Sequence, residues 1–433
     1  MRWIIILGLL LCGVQWATAS SSKIPKQKWG YVDVRKNAHM FWWFYGASQQ
    51  RRDQAPLVMW LQGGPGGSST GFGNFLEIGP LTVQLKPRNT TWLQKANLLF
   101  VDNPVGAGFS YVDKPSAYCT NVTQIANDLV TMFKAFLKTI PAFRKIPFYI
   151  FCESYGGKMT AAFGVALKKA IMSKEISVDF RGVALGDSWI SPQDSVDTWG
   201  PYLLSTSLVD TEGAAQIQSY ANNIRTALSN KKYAKATNLW SQMENVVENL
   251  TNNVNFYNIL TQPSSNGLTC AAHDTACRIL SEMNTLTLAQ LMNGPIRKKL
   301  RIIPKNVTWG GQSGPVFQYQ SVEFMKPVID DVDKLLDMGV SVTVYTGQLD
   351  LIVDTLGTER WVNKLKWKYL SQYKKSKRVP IYASGSRETG AFYKSYKNLS
   401  FYWIMKAGHM VPADNGPVAL EMLERVIGAK HMN

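Results

Sequence analysis

A serine hydroxyl attacks a carbonyl only when a base takes its proton and a third group holds that base in one tautomer. The sequence carries four histidines, so candidate bases are few. His39 lies in an aromatic strand pattern, His273 in a cysteine-bearing loop, and His431 among the last three residues. His409 stands in Lys406-Ala407-Gly408-His409-Met410-Val411-Pro412, after an apolar run over 400–405 that reads as a buried strand. Open α/β sheets hold their ligands in loops at the C-terminal ends of strands. His409 is therefore the candidate general base.

The candidate nucleophile is Ser154, in Cys152-Glu153-Ser154-Tyr155-Gly156-Gly157. The segment lies between an apolar run over 147–152 and a helical pattern over 156–170, the setting of a G-x-S-x-G nucleophile elbow. Small neighbours let so sharp a turn close. Gly156 supplies one, and Cys152 stands where a glycine is usual. In this arrangement the acid falls between the serine and the histidine in chain order. Asp350 meets that requirement, after a strand pattern at 342–345 and a turn at Gly347, and is preferred to Asp354 because it lies nearer the strand end. The oxyanion of an acyl transfer needs backbone N–H donors. One is expected from Tyr155 and the other from the glycine-rich loop Gly63-Gly64-Pro65-Gly66-Gly67-Ser68-Ser69, which follows an apolar run at 56–62.

These residues need a frame. Runs at 29–34 and 39–45 read as paired strands joined by residues 35–37. Short apolar runs at 56–62, 97–102, 147–152, 181–185, 342–345 and 400–405 suit strands buried on both faces of a mostly parallel sheet. Helical patterns at 125–137 and 156–170 alternate with them, which points to an open α/β architecture with helices on both faces. From 191 to 300 the strand signal fades, and amphipathic stretches such as 213–228 and 233–250 suggest an inserted, mainly helical cap. The expected organisation is a signal peptide over 1–19, a core over 20–190, a cap over 191–300 and the rest of the core over 301–433.

Arg2, the apolar run 3–14 and Ala17-Thr18-Ala19 match the signal-peptide pattern, and the apolar run is too short for a membrane span. Five N-x-[ST] sequons, at Asn89, Asn121, Asn249, Asn306 and Asn398, agree with a secretory route and make glycosylation expected. Cys270 and Cys277 are close enough in sequence to close a small disulfide loop, while the partners of Cys119 and Cys152 stay open. Cysteine spacing gives no zinc site, and neither a metal nor a cofactor is expected. The formal net charge of +17 comes without any nucleic-acid-binding module, so it reads as a solvated basic surface.

Together, Trp60-Leu61-Gln62-Gly63-Gly64-Pro65-Gly66-Gly67-Ser68-Ser69, Glu153-Ser154-Tyr155-Gly156-Gly157, the turn from Gly347 to Asp350 and Gly408-His409-Met410-Val411-Pro412 resemble the serine carboxypeptidase family, and the likeness runs over nearly the whole mature chain. The resemblance implies an α/β-hydrolase fold and removal of C-terminal residues from peptides through an acyl-enzyme. It implies Ser154, Asp350 and His409 as the triad, and Gly64 and Tyr155 as oxyanion donors. It also implies that Gln62, Gly63, Glu77 and Glu153 bind the substrate's C-terminal carboxylate, with activity favoured at acidic pH because one or both acids must be protonated. Three positions depart from the family pattern: Gln62 replaces its usual asparagine, Gly67 its usual cysteine, and Cys152 the small residue ahead of Glu153. Expected partners are peptide or protein C-termini, with no nucleic acid and no membrane span; self-association as a homodimer stays open. The expected location is the secretory pathway, secreted or lysosomal. Two other readings keep the fold: an esterase or acyltransferase using the same nucleophile, and a non-enzymatic secreted binding or protective protein.

Overall fold

In the computed structural model of the chain, residues 26–48, 52–261, 285–382 and 387–428 are described. They form an eleven-stranded sheet with the order β1-β2-β4-β3-β6-β7-β8-β11-β10-β9, and β5 pairs with β2. The strands are β1 (Gln27–Arg35), β2 (Ala38–Tyr45), β3 (Leu57–Leu61), β4 (Asn97–Val101), β5 (Tyr111–Val112), β6 (Pro147–Glu153), β7 (Asp179–Gly186), β8 (Ser341–Gly347), β9 (Val379–Tyr382), β10 (Thr389–Tyr396) and β11 (Leu399–Ile404). The central pairs, from β4–β3 through β8–β11, are parallel, and both margins are antiparallel. This is the α/β-hydrolase fold.

Strand periodicity explains why the sheet is apolar on both faces. Along β2, Met40, Trp42 and Phe44 enter one core cluster, while Phe41, Trp43 and Tyr45 enter the other. All five residues of β3 are buried, as are all five of β4. Each large apolar side chain so buried contributes about 1.5–3 kcal/mol. The first cluster lies under α1 (Val122–Thr139) and α2 (Tyr155–Met172); the second lies under the π-wound helix Ser69–Ile78 and a C-terminal helix, Gly416–Gly428. Asn121 caps α1 by accepting from Gln124 N at 3.0 Å, so the helix begins at Val122, three residues ahead of where the sequence pattern alone begins.

Three strands escaped the sequence reading. β5 has two residues, β9 has four including Pro380, and β10 is half-exposed and carries Lys394 and Lys397-flanked turn chemistry, so none shows a buried apolar run. Between β7 and β8 the described residues contain helices and no strand: α3 (Pro192–Ser205), α4 (Thr211–Ser229), α5 (Tyr233–Thr251), α6 (Gly314–Phe324) and α7 (Ile329–Asp337) among them. α6 packs on α5, whereas α7 packs on α2. No described helix is long and apolar enough to cross a membrane.

Candidate active site

The neighbours β3 and β6 end at one edge of the sheet, where the chain after β3 turns to one side and the chain after β6 to the other. Such switch points leave a crevice beyond the strand ends. Ser154 follows β6 with φ 61° and ψ −129°, a backbone state that costs about 1–3 kcal/mol and is held by its surroundings. Its N–H donates to Gly186 O at 3.0 Å, and its carbonyl accepts from Gly157 N at 3.0 Å and Trp189 N at 2.9 Å. A side chain at position 156 would collide with Leu61 O, so the turn needs Gly156. Cys152 causes no such clash: its Sγ sits between strands, 3.3 Å from Ala184 O.

His409 approaches from beyond β11. Its N–H donates to Tyr257 O at 2.7 Å, and its ring stands edge-on to Tyr257 with centroids 5.0 Å apart. His409 Nδ1 donates to Asp350 Oδ2 at 2.7 Å, and both residues are buried. That bond leaves Nε2 as the free nitrogen. Asp350 closes the turn after β8 through Asp350 N to Gly347 O, 3.3 Å. The rival Asp354 does something else. It caps a helix, α8 (Thr355–Val362), by accepting from Gly357 N at 2.9 Å, and it accepts from Thr198 Oγ1 at 2.8 Å. Burial raises the Asp354 carboxyl to about 7.

The glycine loop brings backbone against the elbow. A Cβ at position 63 would collide with Ser154 Cβ and lie 2.9 Å from its Oγ, so only glycine lets this loop approach the serine. Gly64 follows in the same loop, and Tyr155 opens α2, where the first N–H groups have no helical carbonyl to bond. Gln62 lies beside them. It accepts from Trp60 Nε1 at 2.7 Å and donates to Glu153 Oε1 at 2.8 Å. Glu77, on the π-wound helix, faces the same group. Glu77 Oε1 and Oε2 and Glu153 Oε2 are buried without a hydrogen-bond partner. Burial pushes both carboxyls up, and for Glu153 the neighbouring Glu77 adds to the rise. The pair thus holds protons that an isolated carboxyl would release.

One cleft is lined by Gln62, Gly63, Gly64, Glu153, Ser154, Tyr155 and His409, among others. Glu77 and Asp350 stand behind that wall. Sequence reasoning missed much of the remaining lining, including Trp189, Trp240, Tyr257, Gln312, Phe324 and Ile352. Trp240 belongs to an ordinary buried stripe on α5 with Ala236, Met243 and Val247, so nothing local separates it from core. Gln312 donates to Pro65 O at 2.8 Å across a separation of 247 residues, which no local pattern reveals.

Among the sequons, Asn89, Asn249 and Asn306 are exposed. Asn398 is half-buried, and its Nδ2 donates to Leu336 O and Val340 O, both at 2.9 Å, which occupies both amide hydrogens inside the fold. Cys270 and Cys277 lie outside the described residues. Cys119 and Cys152 are buried and free.

A serine on a strained strand-to-helix turn, with a buried His–Asp pair opening on the same cleft, belongs to an α/β-hydrolase. The chain goes further than that class: residues 19–429 match the serine carboxypeptidase family, to which the chain belongs. Retinoid-inducible serine carboxypeptidase of Mus musculus is 52% identical, covering 98% of this chain and 96% of the relative. Serine carboxypeptidase-like 51 of Arabidopsis thaliana is 42% identical over 98% of this chain and 97% of its own. Among solved structures, Kex1(delta)p, a prohormone-processing carboxypeptidase from Saccharomyces cerevisiae, superposes with a TM-score of 0.80 at 21% identity, over 94% of this chain and 92% of that one. At that identity the likeness concerns the fold.

Proposed function

We propose that this chain removes C-terminal residues from peptides, with Ser154, His409 and Asp350 as its triad. The observation that carries this reading is the buried acid pair, in which Glu153 lines the cleft beside the serine with Gln62 and Glu77 backs it. An endopeptidase or simple esterase has no use for protonated carboxyls there. A peptide's terminal carboxylate does, since it can accept their protons as hydrogen bonds.

The chemistry follows from the atoms. Ser154 Oγ bonds to the last peptide carbonyl carbon while its proton passes to His409 Nε2. The N–H groups of Gly64 and Tyr155 receive the oxyanion, and Gly63 with Gln62 and the acid pair holds the terminal carboxylate. The C–N bond breaks, and His409 returns the proton to the departing amino acid. Water then adds to the acyl-enzyme, giving its proton to His409 and later to Ser154 Oγ, and the shortened peptide leaves. Asp350 stabilises the imidazolium at each stage.

Residues 191–300, extended by α6, act as the cap that shapes the cleft, because Trp240, Gln312 and Phe324 come from this side. The N-terminal pattern and the exposed sequons support a secretory location, secreted or lysosomal. The test is release of the C-terminal residue from an N-blocked dipeptide at acidic pH, with Ser154→Ala and a C-terminally amidated dipeptide as controls. Release by the wild type alone, strongly reduced by amidation, is expected. Equal release from the amidated substrate would overturn carboxylate recognition.

A further inference from the structure

Asp187 is the first residue after β7, and the scheme above does not use it. It is fully buried, and its φ of 39° lies in the left-handed region, which Asp tolerates better than most side chains. β8 fixes it at two points. Asp187 N donates to Tyr345 O at 2.9 Å, and Oδ1 accepts from Gly347 N at 2.8 Å. Gly347 therefore bonds the Asp187 carboxyl through its N–H and the Asp350 backbone N–H through its carbonyl, so one residue links the two aspartates.

The remaining oxygens are complementary. Asp187 Oδ2 is buried without a hydrogen-bond partner, and the carboxyl that bears on it most is that of Asp350. Asp350 Oδ2 is taken by His409, while its Oδ1 meets the Val353 N–H at a long 3.3 Å. Burial first, and then the Asp350 charge, push the Asp187 carboxyl well above the usual carboxylate range. The other groups that bear on it are Asp414 beyond β11, Glu153 at the end of β6 and Tyr345 on β8, all acidic. The basic group of the cluster, His409, bonds to Asp350.

We propose that Asp187 is a positioning residue: a carboxylic acid that donates its Oδ2–H to Asp350 Oδ1 and so fixes the orientation of Asp350 towards His409. This rests on the triad reading given above. The sign of its pH dependence follows directly. Below its raised value Asp187 is neutral and a donor. As pH climbs through that value the donor becomes a second carboxylate beside Asp350, the two repel, and acylation slows.

The experiment is the pH profile of Ser154 labelling by an uncharged aryl phosphonate ester, which releases a phenol and has no carboxylate for Glu77 and Glu153 to bind. Asp187→Asn keeps a neutral donor of the same shape at every pH. It should label at the wild-type rate near neutrality and hold that rate to higher pH than the wild type does. Asp187→Ala should be slower by about tenfold or more at all pH values, the scale on which removed orienting partners act. Thermal melts establish that each variant is folded; if the alanine variant does not fold, the Asn profile decides alone. An identical alkaline limb in wild type and Asp187→Asn would overturn the proposal, as would a slow Asp187→Asn with an intact melt. Absence of labelling in the wild type would overturn the triad reading instead, and the role of Asp187 with it.

Discussion

Gln62 Cγ fills the space beside Gly67: a Cβ at position 67 would lie 3.1 Å from it and 2.9 Å from Gly63 O. Two of the residues that depart from the family pattern are therefore neighbours. The Gln62 side chain runs past position 67 and reaches Glu153 at 2.8 Å. Gly67→Ala should displace Gln62 and Gly63 together. Overpacking of this kind is worth about 1–3 kcal/mol, so KM for a free-carboxylate dipeptide should rise about tenfold or more while Ser154 stays reactive towards a phosphonate. Adding Gln62→Ala to Gly67→Ala should cost less than the two single effects summed, because alanine at 62 has no Cγ to be displaced. Additive effects in the double variant would show that the two positions are uncoupled.

The acid pair gives the proposed peptidase its pH dependence. Both carboxyls are pushed up by burial, so they are protonated at acidic pH and can donate to a substrate carboxylate. As pH rises through their raised values they ionise and repel it. KM should rise with pH while kcat changes less. Glu153→Gln removes one of the two titrations, so its KM should vary less between acidic and neutral pH. Steady-state kinetics of dipeptide release across that range measures both. A wild-type KM that stays constant would separate the pair from carboxylate binding.

Asn398 predicts a gap in the glycan map. Its two amide hydrogens hold the turn at Leu336 and Val340, so a sugar there would replace one of these donors and have to fit where the amide enters the fold. Peptide mapping of secreted protein should find Asn398 bare even where Asn89, Asn249 and Asn306 are occupied. Asn398→Ala should destabilise the fold by about 1–3 kcal/mol, seen as a lower Tm with activity retained. A glycan found on Asn398 would mean that the turn is arranged differently.

How much of this was legible beforehand depends on range. The elbow could be read because its signal is local: an apolar strand, a serine with a glycine two residues on, and a helix. The parallel strands could be read because burial on both faces leaves unbroken apolar runs, as in β3 and β4. β10 could not, since an edge strand half in water has no such run. Trp240 and Gln312 reach the cleft only through tertiary packing, and Asp187 gives no sign in the sequence that it will stand beside a residue 163 positions later. The preference for Asp350 over Asp354 rested on distance from a strand end. The structure adds a physical distinction, because one carboxyl meets an imidazole and the other caps a helix.

That distinction separates two substitutions of the same chemistry four residues apart. Asp350→Asn removes the charge that holds His409 in its tautomer, and should lower kcat by about 10⁴-fold with little change in KM. Asp354→Asn should leave kcat intact, since asparagine caps a helix about as well as aspartate. Its effect is on stability. The Asp354 carboxyl is raised from 3.8 to about 7, so the folded state holds its proton more tightly than the unfolded chain does. The stabilisation is complete below 3.8 and is lost as pH climbs through about 7. Asp187 and the glutamate pair have the same sign. Wild-type Tm should therefore fall from mildly acidic to neutral pH, and Asp354→Asn should fall less steeply, because its cap does not ionise. Thermal melts at matched ionic strength test this. A Tm that rises over the same interval, or an Asp354→Asn protein that loses turnover as Asp350→Asn does, would contradict the division of roles between the two carboxyls.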